Sequence, residues 1–403
     1  LSVLRFITRP LAEFHDGTCD LNDVAAGDGT LFVRDGVGFA GRGVALRGTA
    51  SEIRDALSSA TSDDTVDQAG SSGIALGWHS FSGESNQLIV PRVVVGKGAD
   101  ATAWVTFIEG AEREIPGTFE RDEPASASGA TFSIRPGVAI EQYLAAVAAV
   151  RDAVRSGRIV KAVVARDIVV ESSHPIDVHA LLRRLKMSFG SSYRYSIDGL
   201  IGASPELLIQ RIGDHVASHP LAGTTPRTGD PVTDARLADE LRASPKNQVE
   251  HRVVIDMVHD TLLPWCSYLD WQPEPEVVAV ANVQHLGTRV EGTLSTPGPH
   301  VLDLVNVLSP TPALGGHPRA EALRVIAEHE GVRRGRYGGA VGWCDHAGNG
   351  TWAVTIRCAE LSEDRRTARL FAGGGIVAES EPTAELAETQ AKFQAMLAAI
   401  VRP

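Results

Sequence analysis

The order of the periodic segments constrains this chain most. Short alternating or β-branched runs follow one another across turns, and helical patterns fall between them at irregular intervals. Residues 1–130 read as short strands and turns, such as Leu31 to Leu46 and Gln87 to Gly96, with a polar loop expected from Ser58 to Gly73. Helical spacing begins at Glu141 and runs to Ser156, where Tyr143, Val147, Val150 and Val154 recur at threes and fours and Gly157 supplies the stop. A strand is expected from Ile159 to Val170, then a strand-turn-strand from Tyr193 to Arg211 about Asp198-Gly199. Leu237 to Leu263 reads as one helix, Val277 to Val283 and Gly287 to Leu294 as strands, and Val301 to Leu308 and Ala320 to Glu328 as helices. Gly338 to Trp343, Trp352 to Ala359 and Ala368 to Val377 read as three antiparallel strands before a closing helix, Ala384 to Val401. A doubly wound parallel sheet needs regular strand–helix alternation, which this order lacks. The expected class is α+β with much antiparallel pairing, in one large unit.

Fifty acidic residues against 38 lysines and arginines give a formal charge of −12. Such a surface repels phosphate backbones and anionic lipids, so no nucleic-acid or membrane partner is expected. A small anion could still be held at a local basic or metal-bearing site. Cys19, Cys266, Cys344 and Cys358 contain no C-x-x-C pair and are too few for a disulfide framework. No run reaches the ~18 apolar residues of a membrane span, and the first ten residues are too interrupted for a secretory leader. A cytoplasmic globular protein is the expectation.

Familiar motifs fail on their context. Gly36 to Gly41 spells G-x-G-x-x-G, but Arg42-Gly43-Val44-Ala45-Leu46 continues as a strand where a dinucleotide site needs a helix start. A hairpin turn is expected there. The Gly223 to Gly229 loop lacks the Lys-Ser/Thr of a P-loop, and neither H-E-x-x-H nor G-x-S-x-G occurs.

What survives is a set of charged residues in apolar company. Glu385, Glu388 and Lys392 fall within about 60° on one face of the last helix, while Leu386, Phe393 and Leu397 form a separate stripe. Paired carboxylates suit a hard cation such as Mg2+; a solvated face with weak ion pairs is the alternative. Glu250 could add a carboxylate or be a solvated helix residue. Lys161 opens a strand in a chain with 33 arginines and five lysines, and only lysine can work in a neutral form. Glu206, in Gly202-Ala203-Ser204-Pro205-Glu206-Leu207-Leu208, would hold its proton if buried. Arg357 interrupts an apolar strand and could clamp a carboxylate. Gly373-Gly374-Gly375 either relieves crowding or lets backbone N–H groups approach an anion.

Taken together, these segments resemble the chorismate-utilising enzymes, most closely the branch that forms isochorismate. Lys161-Ala162-Val163-Val164-Ala165-Arg166, the Gly202 to Leu208 segment, Pro220-Leu221-Ala222-Gly223-Thr224, Glu250-His251 and Gln284-His285-Leu286 carry the likeness. Ser309 to Gly316, Gly338 to Trp343, Thr355-Ile356-Arg357-Cys358, Gly373 to Val377 and Glu388-Thr389 complete it, in the family's order from about residue 135 onward. Residues 1–130 match loosely, as at Val90-Pro91-Arg92. The resemblance implies face-to-face antiparallel sheets flanked by helices, with the site in a cleft of one domain spanning residues 1–403. It implies Lys161 as the base that activates water for attack at C2 of chorismate, and Glu206 as the acid that protonates the departing C4 hydroxyl. It implies Mg2+ on Glu250 and Glu388 with Glu385 nearby, and a ring pocket of Leu221, Ala222, Gly223 and Thr224. Arg357, Gly373, Gly375 and Tyr337 would take the enolpyruvyl carboxylate, and Lys392 and His285 the ring-carboxylate side.

Among relatives, the ammonia-using anthranilate branch does not carry lysine at the position of Lys161, so water is the implied nucleophile and no glutaminase subunit is expected. Salicylate synthases share that lysine and then eliminate pyruvate. Ala313-Leu314 matches the pattern of enzymes that stop at isochorismate. Asn247 departs from an acidic residue frequent in relatives. A non-catalytic chorismate-binding paralogue would have lost Lys161, Glu206 or a metal carboxylate, and all are present. The product would feed siderophore, menaquinone or other secondary metabolism, and a monomer is expected.

Overall fold

In the computed structural model, which describes residues 3–15, 19–114, 129–280 and 282–402, the alternating runs pair into three sheets. A thirteen-stranded sheet starts at Phe132–Pro136 and passes through Lys161–Ser172, Thr367–Ile376, Cys358–Leu361, Leu200–Ser204 and Tyr193–Ile197. It continues without a break into N-terminal strands from Thr30–Arg34 to Thr61–Asp64. A nine-stranded sheet centres on Leu207–Ile212, Gly350–Val354, Ala340–Asp345 and Ile74–His79. Leu221–Pro226, Val283–Gly287 and Glu276–Val280 form the third. Among the described residues every ladder is antiparallel except that of Arg5–Pro10 with Thr61–Asp64. Gly36 to Gly41 lies in a hairpin, its turn made by Asp35 and Gly36 at φ 51° and 82°.

The two larger sheets face each other. Phe39 of one meets Trp343 of the other with ring centroids 4.7 Å apart, and Tyr195, Trp104, Trp352 and Leu76 fill the same layer. Each such side chain contributes about 1.5–3 kcal/mol on burial. The outer face of the thirteen-stranded sheet is covered by Val178–Ser188 and Pro382–Val401, through Leu181, Leu185, Phe393 and Met396. Ile140–Arg155 adds Tyr143, Val147 and Val150 against Val164 and Val325.

Four local expectations are corrected. The helix expected over Leu237 to Leu263 is two, Pro231–Ala243 and Pro245–Leu262. Pro245 has no N–H to continue the first, and the Ser244 side chain accepts from Asn247 N–H to start the second. The Ser58 to Gly73 loop contains the edge strand Thr61–Asp64, whose exposed polar side chains carry no apolar alternation. On the last helix Phe393 is buried with Met396 and Ile400, whereas Leu386 and Leu397 are half-buried.

The fourth correction shapes the site. Trp352 to Ala359 is not one strand: Gly350–Val354 belongs to the nine-stranded sheet and Cys358–Leu361 to the thirteen-stranded one. Arg357, at φ 51°, turns the chain between them. Leu200–Ser204 and Leu207–Ile212 divide in the same way across Pro205-Glu206. The two crossings are tied together: Val354 N–H donates to Glu206 O at 3.1 Å, and Ala203 N–H to Arg357 O at 3.1 Å.

Candidate active site

Strand alternation explains how a lysine comes to be buried. Ala162 and Val164 pack against helices, so Lys161 and Val163 face the cleft. The neighbouring strand sets Gly375 opposite Val163 and Gly373 opposite Ala165. Pro245–Leu262 brings Glu250, the last helix brings Glu385, Glu388 and Lys392, and the two sheet crossings deliver Glu206 and Arg357. Leu221, Ala222, Gly223, Thr224 and His285 come from the third sheet, and Ala313, Leu314 and Tyr337 from loops. Every residue singled out from the sequence lines this one cleft.

Two of its carboxylates differ in charge. The Lys161 side chain is 2% exposed, and its Nζ donates to Glu250 Oε1 at 2.7 Å. Burial works against a charged Glu250, but the charge and hydrogen bond of Lys161 outweigh it and hold this carboxyl below the usual range. Burial pushes the Glu206 carboxyl up to about 8, against the opposing Leu221 N–H and the charges of Lys161 and Arg357. Glu206 Oε1 has no hydrogen-bond partner among the described residues. Burial thus keeps Glu206 protonated at neutral pH.

The anion-binding side is equally ordered. Burial, with the charges of Arg357 and Lys392, drives the His285 imidazole down to about 3. The neutral ring donates from Nδ1 to Gly223 O, 3.0 Å away, and accepts at Nε2 from Arg357 Nη2, 3.1 Å away. Tyr337 stacks on Phe371 with centroids 5.3 Å apart, and burial raises its hydroxyl well above the usual range. Lys392 Nζ donates to Glu388 Oε1 at 2.6 Å and Gly373 O at 2.7 Å. Ser380 Oγ donates to Glu385 Oε1 at 2.8 Å. Burial, then the charge of Glu388, raises the Glu385 carboxyl. The solvated-face alternative fails for this helix, since Glu385 is buried and the Lys392 side chain is 11% exposed.

The glycine run relieves crowding. A Cβ on Gly375 would lie 2.8 Å from Glu250 Oε1 and 2.8 Å from Lys161 Cε; on Gly374, 2.5 Å from Glu385 Oε2; on Gly373, 3.1 Å from the Tyr337 hydroxyl. Glu250, Glu385 and Glu388 offer only hard oxygen donors, the chemistry that Mg2+ takes. Mutual repulsion at Glu385 and Glu388 is the strain a cation would relieve. In the arrangement seen, ammonium groups neutralise Glu250 and Glu388, and no three His, Cys, Asp or Glu among the described residues converge on one point. The donor set fits the ion, with the carboxylates turned to lysine.

Sequence reasoning missed part of the surroundings. Lys246 also lines the cleft, beside the Asn247 noted above; its place four residues before Glu250, one helical turn away, was the available signal. Behind the wall, Arg334 donates to Glu330 Oε1 and to the carbonyls of Val163 and Leu314, each at 2.7 Å, while Glu330 accepts from Ala165 N–H at 2.7 Å. This buried pair ties the Lys161 strand to the Leu314 loop. Its i, i+4 spacing resembles any surface pair, so nothing in the sequence marked it.

Comparison with known proteins gives the family. The family model described as chorismate binding enzyme matches residues 65–401. The chain is 39% identical over 330 residues to the isochorismate synthase DhbC of Bacillus subtilis, covering 79% of this chain and 82% of that protein. It is 41% identical over 242 residues to the isochorismate synthase EntC of Escherichia coli, covering 59% and 61%. The structure of MenF, the menaquinone-specific isochorismate synthase of Escherichia coli, superposes with a TM-score of 0.84 at 22% identity, covering 98% of this chain and 94% of that one, a likeness of fold. With more than half of its length matched by the family model, this chain belongs to the chorismate-binding enzymes.

Proposed function

We propose that this protein converts chorismate to isochorismate, adding water at C2 and releasing the C4 hydroxyl. One observation carries the reading: a buried lysine and a buried carboxyl that keeps its proton line the same cleft. Water is a poor nucleophile and hydroxide a poor leaving group, so the exchange needs a base and an acid at one ring. Lys161 Nζ, paired with Glu250 as an ammonium in the arrangement seen, must first release that proton; the neutral amine then takes the proton from water, and Glu206 gives its proton to the departing oxygen. Arg357, with Tyr337 beside it, and the Gly373 to Gly375 backbone orient the enolpyruvyl carboxylate. His285 stays neutral and holds Arg357 in line. Leu221 to Thr224, Ala313 and Leu314 enclose the ring.

Mg2+ is the proposed cofactor, held by Glu250 and Glu388 with Glu385 acting through water. When bound it supplies positive charge to the ring carboxylate, while Lys392 steadies Glu388. The N-terminal strands share both large sheets with the site-bearing strands, which supports one functional domain of 403 residues. The four cysteines are unpaired, and no described helix is long and apolar enough to cross a membrane. A cytoplasmic monomer without a glutaminase subunit is proposed, its product serving siderophore, menaquinone or related metabolism.

The test is incubation of the purified protein with chorismate and Mg2+, without ammonia, and chromatographic separation of the products. Isochorismate alone is expected. Salicylate with pyruvate would retain the acid–base assignment and overturn the argument from Ala313-Leu314. A product that forms only after ammonia is added would overturn the role of Lys161.

A further inference from the structure

Three of the five lysines in this chain, Lys161, Lys246 and Lys392, line one cleft. Two are engaged there, Lys161 with Glu250 and Lys392 with Glu388. Arg357 is bonded to His285. Among the described residues Lys246 is the cleft cation with no ion pair or hydrogen bond, and its side chain is exposed. Exposure of a residue that lines the cleft places its ammonium at the mouth.

Its position is costly for a structural lysine. Lys246 lies in the first turn of Pro245–Leu262, beside the positive end of the helix dipole; that turn contains no acidic residue, and the carboxylates that feel its charge, Glu250 and Glu385, are those of the cleft itself. The turn is pressed onto the substrate pocket: a Cβ on Gly223, itself at φ 70°, would lie 3.2 Å from Asn247 Cβ. Chorismate is a dicarboxylate, and the chain it approaches carries a formal charge of −12. A free cation at the mouth is what such a surface needs to admit a dianion.

We propose that Lys246 is a substrate-capture residue, which meets a carboxylate of the incoming dianion and raises the rate of productive entry. This rests on the reading of the cleft as a chorismate site. Because the ammonium is exposed and touches no structural partner, its replacement leaves folding intact. Steady-state kinetics of wild type, Lys246→Ala, Lys246→Glu and Lys246→Arg across a series of salt concentrations make the test. Lys186→Ala, a surface change of equal charge paired with half-buried Asp20, is the control.

Lys246→Ala should lower kcat/KM about fivefold to tenfold and Lys246→Glu about fiftyfold, with kcat within twofold of wild type and most of the loss restored by arginine. The salt dependence of kcat/KM should flatten in Lys246→Ala and persist in Lys186→Ala. Values of kcat/KM within twofold of wild type in both Lys246→Ala and Lys246→Glu would overturn the proposal, as would a loss confined to kcat. A wild-type protein inert toward chorismate would instead overturn the reading beneath it.

Discussion

Glu250 and Glu206 are both held in the cleft, yet the surroundings of each leave it in the opposite protonation state. Around Glu250, on the strand-and-helix side, carboxylates stand against ammonium groups, with Lys161 at 2.7 Å and the Glu388–Lys392 pair beyond it. Around Glu206, at the sheet crossing, no ammonium is within hydrogen-bond reach, and burial leaves the carboxyl protonated to about 8. Desolvation raises the cost of charge at both sites; the partner decides whether it is met. One cleft thereby sets ammonium groups on one side and a neutral carboxylic acid on the other, and the proposed roles rest on that contrast.

The largest effect should come from removing either reacting group. Lys161→Ala and Glu206→Gln should each cut turnover of chorismate by about 10^2–10^4-fold, the range of general acid–base catalysis. Their stabilities should diverge. Lys161→Ala removes the hydrogen-bonded partner of half-buried Glu250, leaving only the more distant charges of Lys392 and Lys246, and should destabilise the fold by about 1–3 kcal/mol, whereas Glu206→Gln removes no ion pair. Chemical denaturation alongside product assays separates the two. Near-normal turnover in either variant would sink the role given to that residue.

Gly375→Ala tests how tightly the charged side is built. The new methyl would meet Glu250 Oε1 and Lys161 Cε at 2.8 Å, so the lysine–carboxylate pair must shift. A displacement approaching 1 Å can cost about 10^2-fold in rate, and kcat should fall toward that limit. Gly27→Ala, whose methyl would meet only Arg365 Nη1 at 3.6 Å, should leave kcat unchanged. Equal kcat in the two variants would mean that the glycine run has another purpose.

What the sequence disclosed, and what it withheld, follow from how local each signal is. Hairpins and amphipathic helices write themselves as periodicity, which is why Val301–Leu308 and the Asp198-Gly199 turn stand where the pattern puts them. Sheet crossings do not. Trp352 to Ala359 is apolar but for Thr355 and Arg357, and the change of sheet at Arg357 is set by which ladders lie on either side. Lys161, Glu206 and Arg357 were legible because each is a charge inside an apolar run. Glu250, Glu385 and Glu388 were ambiguous in the sequence: their surroundings depend on strands distant along the chain, such as Lys161–Ser172, whose Lys161 stands 89 residues before Glu250. Lys246 and the Glu330–Arg334 pair went unseen, since helical charges of that spacing are ordinary on any surface.

The smallest effect is also the most direct reading of the contrast between the two carboxylates. An unfolded glutamate titrates at about 4.3, whereas folded Glu206 keeps its proton to about 8. Below the first value both states hold the proton, and the group leaves stability independent of pH. Between the two values only the unfolded chain releases it, so Glu206 lowers stability as pH rises, by about 1.4 kcal/mol per unit, and the loss levels off above the folded value. Glutamine releases no proton. Between about pH 6 and pH 7.5 the stability of Glu206→Gln should therefore gain about 2 kcal/mol on that of wild type, measured by urea denaturation at each pH. Glu250 acts in the opposite sense: its depressed carboxyl supports the fold above the unfolded value, and that support is lost as pH falls through the folded one. Over the same pH window it is ionised in both folded and unfolded chains, so it adds no slope of its own. A stability gap between wild type and Glu206→Gln that stays constant from pH 6 to pH 7.5 would mean that Glu206 is already ionised in the folded protein, and the neutral-acid side of the cleft would have to be assigned to another group.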